Sequence, residues 1–307
     1  AYIDNEFWNK EAEKVFADNW VFVGYKHELN KIGDVMPINV SKQPILLVKN
    51  TKEEIVAFHN VCSHRCLKLV DQPKNVKKII SCPYHAWAYD LDGNLIASPH
   101  FGGTNNHKPK NFNAKKYGLK PVRIKVWYDW IFINVNNNAP KFEKYAYPLI
   151  KQLKNINLEK IIPVATLDFG KIDSNWKFLI ENFIEPYHVQ FVHKKTTSQP
   201  LKDHYTIVDG NCYGSGVDMK EENSTGGSLA VTSRYLSLFP NFIIGTYFPG
   251  QLGVYLNTPL NTGQTNQRRI IYTTENNNLS KAEITKQKDL WWKVHKEDHE
   301  ICKRLQQ

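Results

Sequence analysis

Two short segments constrain this chain more than any others: Cys62-Ser63-His64-Arg65 and Cys82-Pro83-Tyr84-His85. Each carries one thiolate donor and one imidazole donor, spaced C-x-H and C-x2-H. Thiolate and imidazole together select zinc, copper or an iron–sulfur cluster over hard cations such as magnesium. If the four donors share one site, the fold must bring the two loops side by side around a soft metal. Two Cys and two His can close a tetrahedral zinc site, but structural zinc usually keeps like ligands together, as C-x2-4-C with H-x3-5-H. Here each loop mixes the two types, which suits a cluster of two irons shared between the loops. A zinc knuckle and a pair of unliganded core loops stay open as alternatives.

The flanking sequence says what kind of scaffold holds the loops. From Asp34 onward the pattern is of short strands, Val35–Val40, Ile45–Lys49 and Ile55–His59, with Asn50–Glu53 as a hairpin connection. A Lys-rich strand Lys77–Ser81 lies between the metal loops, and Asp92-Gly93 marks a tight turn beyond them. Val122–Val126 and Trp130–Val135 form a further hairpin, so 35–136 reads as an all-β unit. Before it, Asp4–Trp20 reads as an amphipathic helix capped by Asp4, and residues 1–34 are expected to pack on the second domain. Asn136-Asn137-Asn138-Ala139-Pro140 is the expected linker. Residues 141–307 combine helices at Ala146–Asn155, from Asp173 or Ser174, and after the capping box Ser280-Lys281-Ala282-Glu283 with strands at Ala165–Ile172 and through 205–274. Turns are expected at Asp209-Gly210, Gly226-Gly227, Pro249-Gly250 and Asn261-Thr262-Gly263. The fold class is thus α+β: an all-β domain followed by an antiparallel sheet covered by helices.

With 307 residues the chain can bury two cores. The net charge of +10 first suggests nucleic acid, yet no basic helix or aromatic platform accompanies the lysines of 74–78, 108–116 and 151–160. The reading is an ordinary solvated surface, or steering of an acidic redox partner, with no nucleic acid. No apolar run reaches membrane-spanning length, and nothing in the polar start reads as a leader. Five cysteines, an odd number in a chain too large for a disulfide scaffold, fit a reducing cytoplasm.

A second constellation follows at Asn182-Phe-Ile-Glu185-Pro-Tyr-His188-Val-Gln-Phe-Val-His193. Glu185 and His188 would share one face of a helix, and Pro186 is expected to distort it. Both His could simply be hydrogen-bonded core residues. The final helix shifts the balance, because Trp291, Val294, Asp298, Ile301 and Leu305 step by three and four residues and define a buried stripe with a carboxylate in its middle. A buried carboxylate is costly unless paired or metal-bound. Two His and one carboxylate with open positions make the facial triad of non-haem Fe(II) oxygenases; an ion pair to Lys or Arg is the alternative for Asp298.

The residues around these donors carry a resemblance. Cys62-Ser63-His64-Arg65 and Cys82-Pro83-Tyr84-His85-Ala86-Trp87 resemble the C-x-H-R and C-P-x-H-x-W boxes of Rieske proteins. Followed by Asn-x2-Glu-x2-His-x4-His and a late Glu297-Asp298, they resemble the α (oxygenase) subunit of Rieske non-haem iron oxygenases over nearly the whole chain. The resemblance implies a [2Fe-2S] cluster with Cys62 and Cys82 on one iron and His64 and His85 on the other, where His ligation raises the potential. It implies a helix-grip catalytic domain with mononuclear Fe(II) held by His188, His193 and Asp298, with Glu185 as a bridging acid and Asn182 beside the iron. It further implies a homotrimer in which Glu185 links His188 to His85 of a neighbouring chain. O2 would be the co-substrate, and NAD(P)H electrons would arrive through a flavin/iron–sulfur reductase or ferredoxin. Family members usually continue beyond the position of Gln307.

The form Asn-x2-Glu-Pro-Tyr-His is closer to the branch acting on quaternary ammonium compounds and N- or O-methyl groups than to ring dihydroxylases. Oxidative demethylation or C–N cleavage of a small molecule is therefore the expectation, with ring hydroxylation of an aromatic acid as the alternative. A Rieske electron carrier and a structural zinc protein are the rivals from other classes. Pocket walls are expected among Tyr205, Tyr213, Tyr235, Phe239, Phe242 and Tyr247, with a cage for a cation as one use of such rings and plain core packing as the other. Cys66, where the family has a small residue, is expected to be a buried free thiol.

Overall fold

A computed structural model describes all residues except 41, 197–203, 220–230, 248–249 and 275–278, so the expected Gly226-Gly227 turn and Pro249 lie outside the described residues. The chain forms two compact units, one of Glu11–Ala139 and one of Ala1–Lys10 with Pro140–Gln307. The N-terminal stretch expected as one helix divides at that boundary: Asn5–Lys10 is α-helical and Glu11–Phe16 a π-helix. Asp4 caps it as expected, its Oδ1 accepting from the Phe7 amide at 2.7 Å.

In the unit of Glu11–Ala139, seven strands hydrogen-bond in the order Val21–Tyr25, Trp130–Asn134, Pro121–Trp127, Ile55–His59, Gln43–Lys49, Asp34–Val40 and Lys74–Asn75. Alternation and β-branched content set the long strands. The Lys-rich strand shrinks to Ile80–Ser81, because Lys77 turns left-handed (φ 59°) and the chain becomes extended only beyond it. Ile80–Ser81, Ala88–Tyr89 and Leu95–Ala97 make a separate three-stranded sheet. Gly93 (φ 81°) closes its Asp92-Gly93 turn with Phe58 packed against it, leaving no room for a side chain. Val35, Leu46, Phe58, Cys62, Cys82, Trp87 and Tyr89 share one core, so both metal loops start from buried positions.

The other unit is a seven-stranded antiparallel sheet in which the first strand, Ile161–Ile172, pairs with the last, Gln264–Thr274. The order then runs back through Gln251–Asn261, Phe242–Tyr247, Val231–Leu238 and Cys212–Met219 to His204–Asp209. Helices span Phe142–Gln152, Trp176–Ile184 and Lys281–Leu305. Asn175, rather than Asp173 or Ser174, caps the second of these. The capping box at Ser280 and Glu283 forms, and opens a 25-residue helix. That helix lies on the sheet through Leu167, Ile271, Trp291 and Val294, and is tied to it by Trp291 Nε1 to Gln251 at 3.0 Å and by His299 Nε2 with Gln267 at 2.6 Å. Its buried stripe departs from expectation at the end: Cys302 is buried and Leu305 exposed, since 3.6 residues per turn carry the stripe to position 302. Among the described residues no helix is long and apolar enough to cross a membrane.

Candidate functional site

The two Cys–His loops have the same backbone. The amide of Cys62 donates to the Leu67 carbonyl at 2.8 Å and that of Cys66 to the Cys62 carbonyl at 2.9 Å. Twenty residues on, the amide of Cys82 donates to Trp87 at 2.8 Å and that of Ala86 to Cys82 at 3.1 Å. Cys66 (φ 55°) and Ala86 (φ 53°) occupy the matching left-handed position at each tip. This corrects the expectation for Cys66, whose thiol is exposed rather than buried; a left-handed tip turns its side chain outward and favours small residues.

Cys62 and Cys82 are both buried, free of disulfides and hydrogen-bond neighbours of one another. Burial pushes the Cys62 thiol above its ordinary pKa, opposed by the Tyr89 hydroxyl 3.2 Å from its sulfur. The His64 ring stacks on Trp87 at 4.8 Å and meets the His85 ring at 4.8 Å. His85 Nδ1 is buried without a hydrogen-bond partner, as a metal-facing nitrogen would be. Among the described residues only His188, His193 and Asp298 bring three donor atoms within 4.8 Å of one another. The Cys–His quartet mixes one thiolate and one imidazole in each loop, a donor set that fits a two-iron cluster better than structural zinc. Cys62→Ser or Cys82→Ser is expected to remove the red-brown Rieske absorption and its electron paramagnetic resonance signal, whereas Cys66→Ala leaves both intact. A colourless, folded protein with stoichiometric zinc would refute this assignment.

The second site is built across a break. The helix Trp176–Ile184 stops at Glu185, which is extended (φ −98°, ψ 134°) because the residue before a proline avoids the helical region. His188 then starts, and His193 ends, a short helix over Val189–Val192. The one-face reading of Glu185 and His188 is therefore replaced by a turn. Glu185 folds back along it, its Oε2 accepting from the Tyr187 amide at 2.5 Å and its Oε1 lying 2.6 Å from His188 Nδ1. Glu297 does the same for His193, with Oε2 2.7 Å from Nδ1 and 2.9 Å from the Thr196 hydroxyl.

With each Nδ1 held by a carboxylate, both Nε2 atoms face Asp298. Its Oδ1 is 3.0 Å from His193 Nε2 and 3.5 Å from His188 Nε2, yet aligned for a hydrogen bond with neither. Three converging donors without hydrogen-bond alignment fit a shared divalent cation, and two His with one carboxylate fit non-haem iron. Burial pushes the Asp298 carboxyl up, but His188 and His193 outweigh it and hold its pKa well below the ordinary range. Burial likewise opposes charge on His188, while Asp298 and Glu185 lift it to about 9. On the other side of Asp298, His295 Nδ1 lies 3.8 Å from Oδ2, and burial together with Arg269 keeps His295 neutral.

A cavity of about 380 Å³ opens onto these donors. Of the aromatics expected in its walls, Tyr235 and Tyr247 line it; Tyr205, Tyr213, Phe239 and Phe242 are not among its lining residues. Tyr205 instead lies 40% exposed, bonded to Asp218, and Phe242 is core. Phe183, Tyr255, Trp291 and His295 also line it. Asn182 sits on the preceding helix, half-buried and outside the lining set. Sequence reasoning missed Glu297, although it adjoins Asp298, because its role needs a fold that brings it to His193. It also missed Arg269, one of two adjacent arginines in a strand, because no local signal marks which of the pair turns inward.

Residues 19–108 match the family model of the Rieske [2Fe-2S] domain, and residues 137–307 that of the ring hydroxylating alpha subunit (catalytic domain). The chain is 32% identical over 193 residues to the glycine betaine monooxygenase oxygenase subunit of Pseudomonas aeruginosa, covering 62% of this chain but only 43% of that protein. It is 29% identical over 283 residues to the carnitine monooxygenase oxygenase subunit of Escherichia coli K12, covering 89% of this chain and 73% of that one. Among solved structures, the quaternary ammonium Rieske monooxygenase CntA with γ-butyrobetaine matches with a TM-score of 0.80 at 22% identity, covering 99% of this chain and 82% of that chain. Naphthalene 1,2-dioxygenase with indole bound matches at 0.76 and 19% identity, covering 99% and 78%.

Proposed function

The chain belongs to the ring-hydroxylating α-subunit family, with a Rieske [2Fe-2S] domain ahead of the catalytic domain, and from that membership we propose that it is a terminal oxygenase component acting on a small quaternary ammonium or N-/O-methyl compound. The observation that carries this reading is the convergence of His188, His193 and Asp298 at an aromatic-walled cavity. In this reading Cys62, His64, Cys82 and His85 hold the cluster, and the triad holds a single iron. When bound, the cluster delivers electrons one at a time and the iron activates dioxygen.

The chain's own residues then have defined tasks. Glu185 and Glu297 fix the orientation of the two imidazoles and raise their basicity. Phe183, Tyr235, Tyr247, Tyr255 and Trp291 exclude water and press the substrate against the open side of the triad. One oxygen atom enters a C–H bond and the other leaves as water, with two electrons and two protons consumed. On a carbon bonded to nitrogen, that hydroxyl lets the C–N bond break, releasing a carbonyl compound and an amine.

Electrons come from NAD(P)H through a separate flavin/iron–sulfur reductase or ferredoxin. The assembly is a homotrimer in which Glu185 meets His85 of the neighbouring chain, and it works in the cytoplasm; five free cysteines support a reducing compartment. The bridge is supported by a similar quaternary ammonium Rieske monooxygenase, whose solved structure gives insight into inter-subunit electron transfer in that enzyme. The test is oxygen uptake coupled to product formation, with reductase and NADH, across betaines, carnitine and aromatic acids. Coupled turnover with a betaine or carnitine is expected. Coupled turnover with aromatic acids alone would move the substrate to the ring-hydroxylating class, and no coupled turnover with any compound of the panel would count against the reading.

A further inference from the structure

Arg269 is the largest charged side chain buried in the catalytic unit, with no exposed surface, and it faces the cavity wall from behind. It lies on the strand Gln264–Thr274, and its guanidinium fills space left by Gly253 on the neighbouring strand, where a Cβ would come within 2.5 Å of Nε and Nη2. The guanidinium carbon sits 3.8 Å from the Trp291 ring centroid, 5.0 Å from Tyr255 and 5.3 Å from Tyr247. All three rings line the cavity. Trp291 is held in place by its bond to Gln251 and by Tyr247 at 4.5 Å.

Arg269 forms no ion pair among the described residues. Its Nη1 donates to His295 Nε2 at 3.0 Å, while Nε and Nη2 have no hydrogen-bond partner. Along this path the next carboxylate is Asp298, on the far side of the His295 ring and already facing His188 and His193. A buried cation without a dedicated counter-charge is only weakly screened, and the cavity lies just beyond the three rings that cover it. The three rings already interact with an internal cation, which weakens their attraction for a substrate's ammonium on this side of the cavity.

We propose that Arg269 determines specificity, making the Trp291–Tyr247–Tyr255 end of the cavity a subsite for the anionic end of the substrate and excluding a bare cationic headgroup from it. The ligand class is a small carboxylate or zwitterion whose anionic group lies toward Trp291 and whose reacting carbon lies toward the triad. The inference rests on the reading of this cavity as the oxygenase's substrate site.

The test is calorimetric binding to the iron- and cluster-loaded protein of three probes of similar shape: glycine betaine, choline, and 3,3-dimethylbutyrate, which keeps the carboxylate but replaces the ammonium by a neutral tert-butyl group. Both carboxylates are expected to bind at least roughly tenfold tighter than choline. Arg269→Gln should erase that ratio and Arg269→Lys should retain most of it, with cluster absorption and iron content unchanged in both. Choline binding as tightly as glycine betaine to the unaltered protein would overturn the proposal while leaving an ammonium substrate in place. So would an unchanged ratio in a folded Arg269→Gln protein. Equal binding of 3,3-dimethylbutyrate and glycine betaine would support the anionic subsite and sink the ammonium reading instead. If Arg269→Gln fails to fold, the ratios of the unaltered and Arg269→Lys proteins decide, and weaker binding of both carboxylates than choline refutes the subsite.

Discussion

Asp298→Ala is expected to abolish substrate oxidation while the Rieske spectrum of the other unit survives. The carboxylate faces both imidazoles from the C-terminal helix, and its burial makes it the donor on which the charge balance of the site depends. Without it, two neutral imidazoles remain to hold a divalent cation, and a two-nitrogen set binds iron far more weakly. The loss should exceed the roughly 10–100-fold that outer-shell substitutions cost. His188→Ala and His193→Ala should behave alike. The measurement is iron content by mass spectrometry beside coupled oxygen uptake, and iron should fall by one equivalent per chain. Asp298→Asn discriminates the alternative: iron and turnover both retained would make Asp298 a structural partner of the histidines and dismantle the proposed triad.

Glu185→Gln is the second large effect. Glu185 touches His188 Nδ1 at 2.6 Å, and its side chain keeps 43% of its surface exposed, so one carboxylate can serve both an internal imidazole and a group beyond the chain. Gln preserves the size but removes the charge and half the acceptor capacity. Both metal sites should still load, and an external donor should still reduce the cluster at the normal rate. Product formation should nevertheless fall by roughly 100-fold or more, at the upper end of outer-shell effects, because in the proposed bridge the lost contact is the one that joins the two centres. Rapid-mixing absorbance of the cluster separates its reduction from its reoxidation in the presence of substrate and oxygen, and the defect should appear in reoxidation alone. Normal coupled turnover by Glu185→Gln would refute the bridge, as would an oligomer structure holding Glu185 far from every His85.

Much of this site was legible because its chemistry is local. Cys62 and His64, and Cys82 and His85, are near neighbours on turns whose backbone bonds span four or five residues, so spacing offers them as candidate donors and the flanking boxes supply the resemblance that assigns them. Helical periodicity likewise placed Asp298 on a buried stripe after Trp291 and Val294, missing only its end at Cys302, and the capping box at Ser280 marked the start of that helix. Strand extents followed alternation closely where both flanks are regular, and failed at Lys77, where one left-handed residue delays the start of the run.

What the tertiary structure decided lies across long separations. Glu297 reaches His193 over 104 positions, and no periodic pattern in either segment encodes that meeting. Arg269 became an interior cation because Gly253, on the adjacent strand, leaves room for its guanidinium and Trp291, on the last helix, covers it. Which aromatics wall the cavity depended on the side of the sheet that the C-terminal helix covers, so Trp291 and Tyr255 entered while Phe242 turned into the core. Local sequence sets φ, ψ and periodicity over a few residues, because sterics and short hydrogen bonds act at that range. The convergence of donors and the burial of a charge depend on which faces pack, and that is settled by the summed burial of distant surfaces rather than by any one segment.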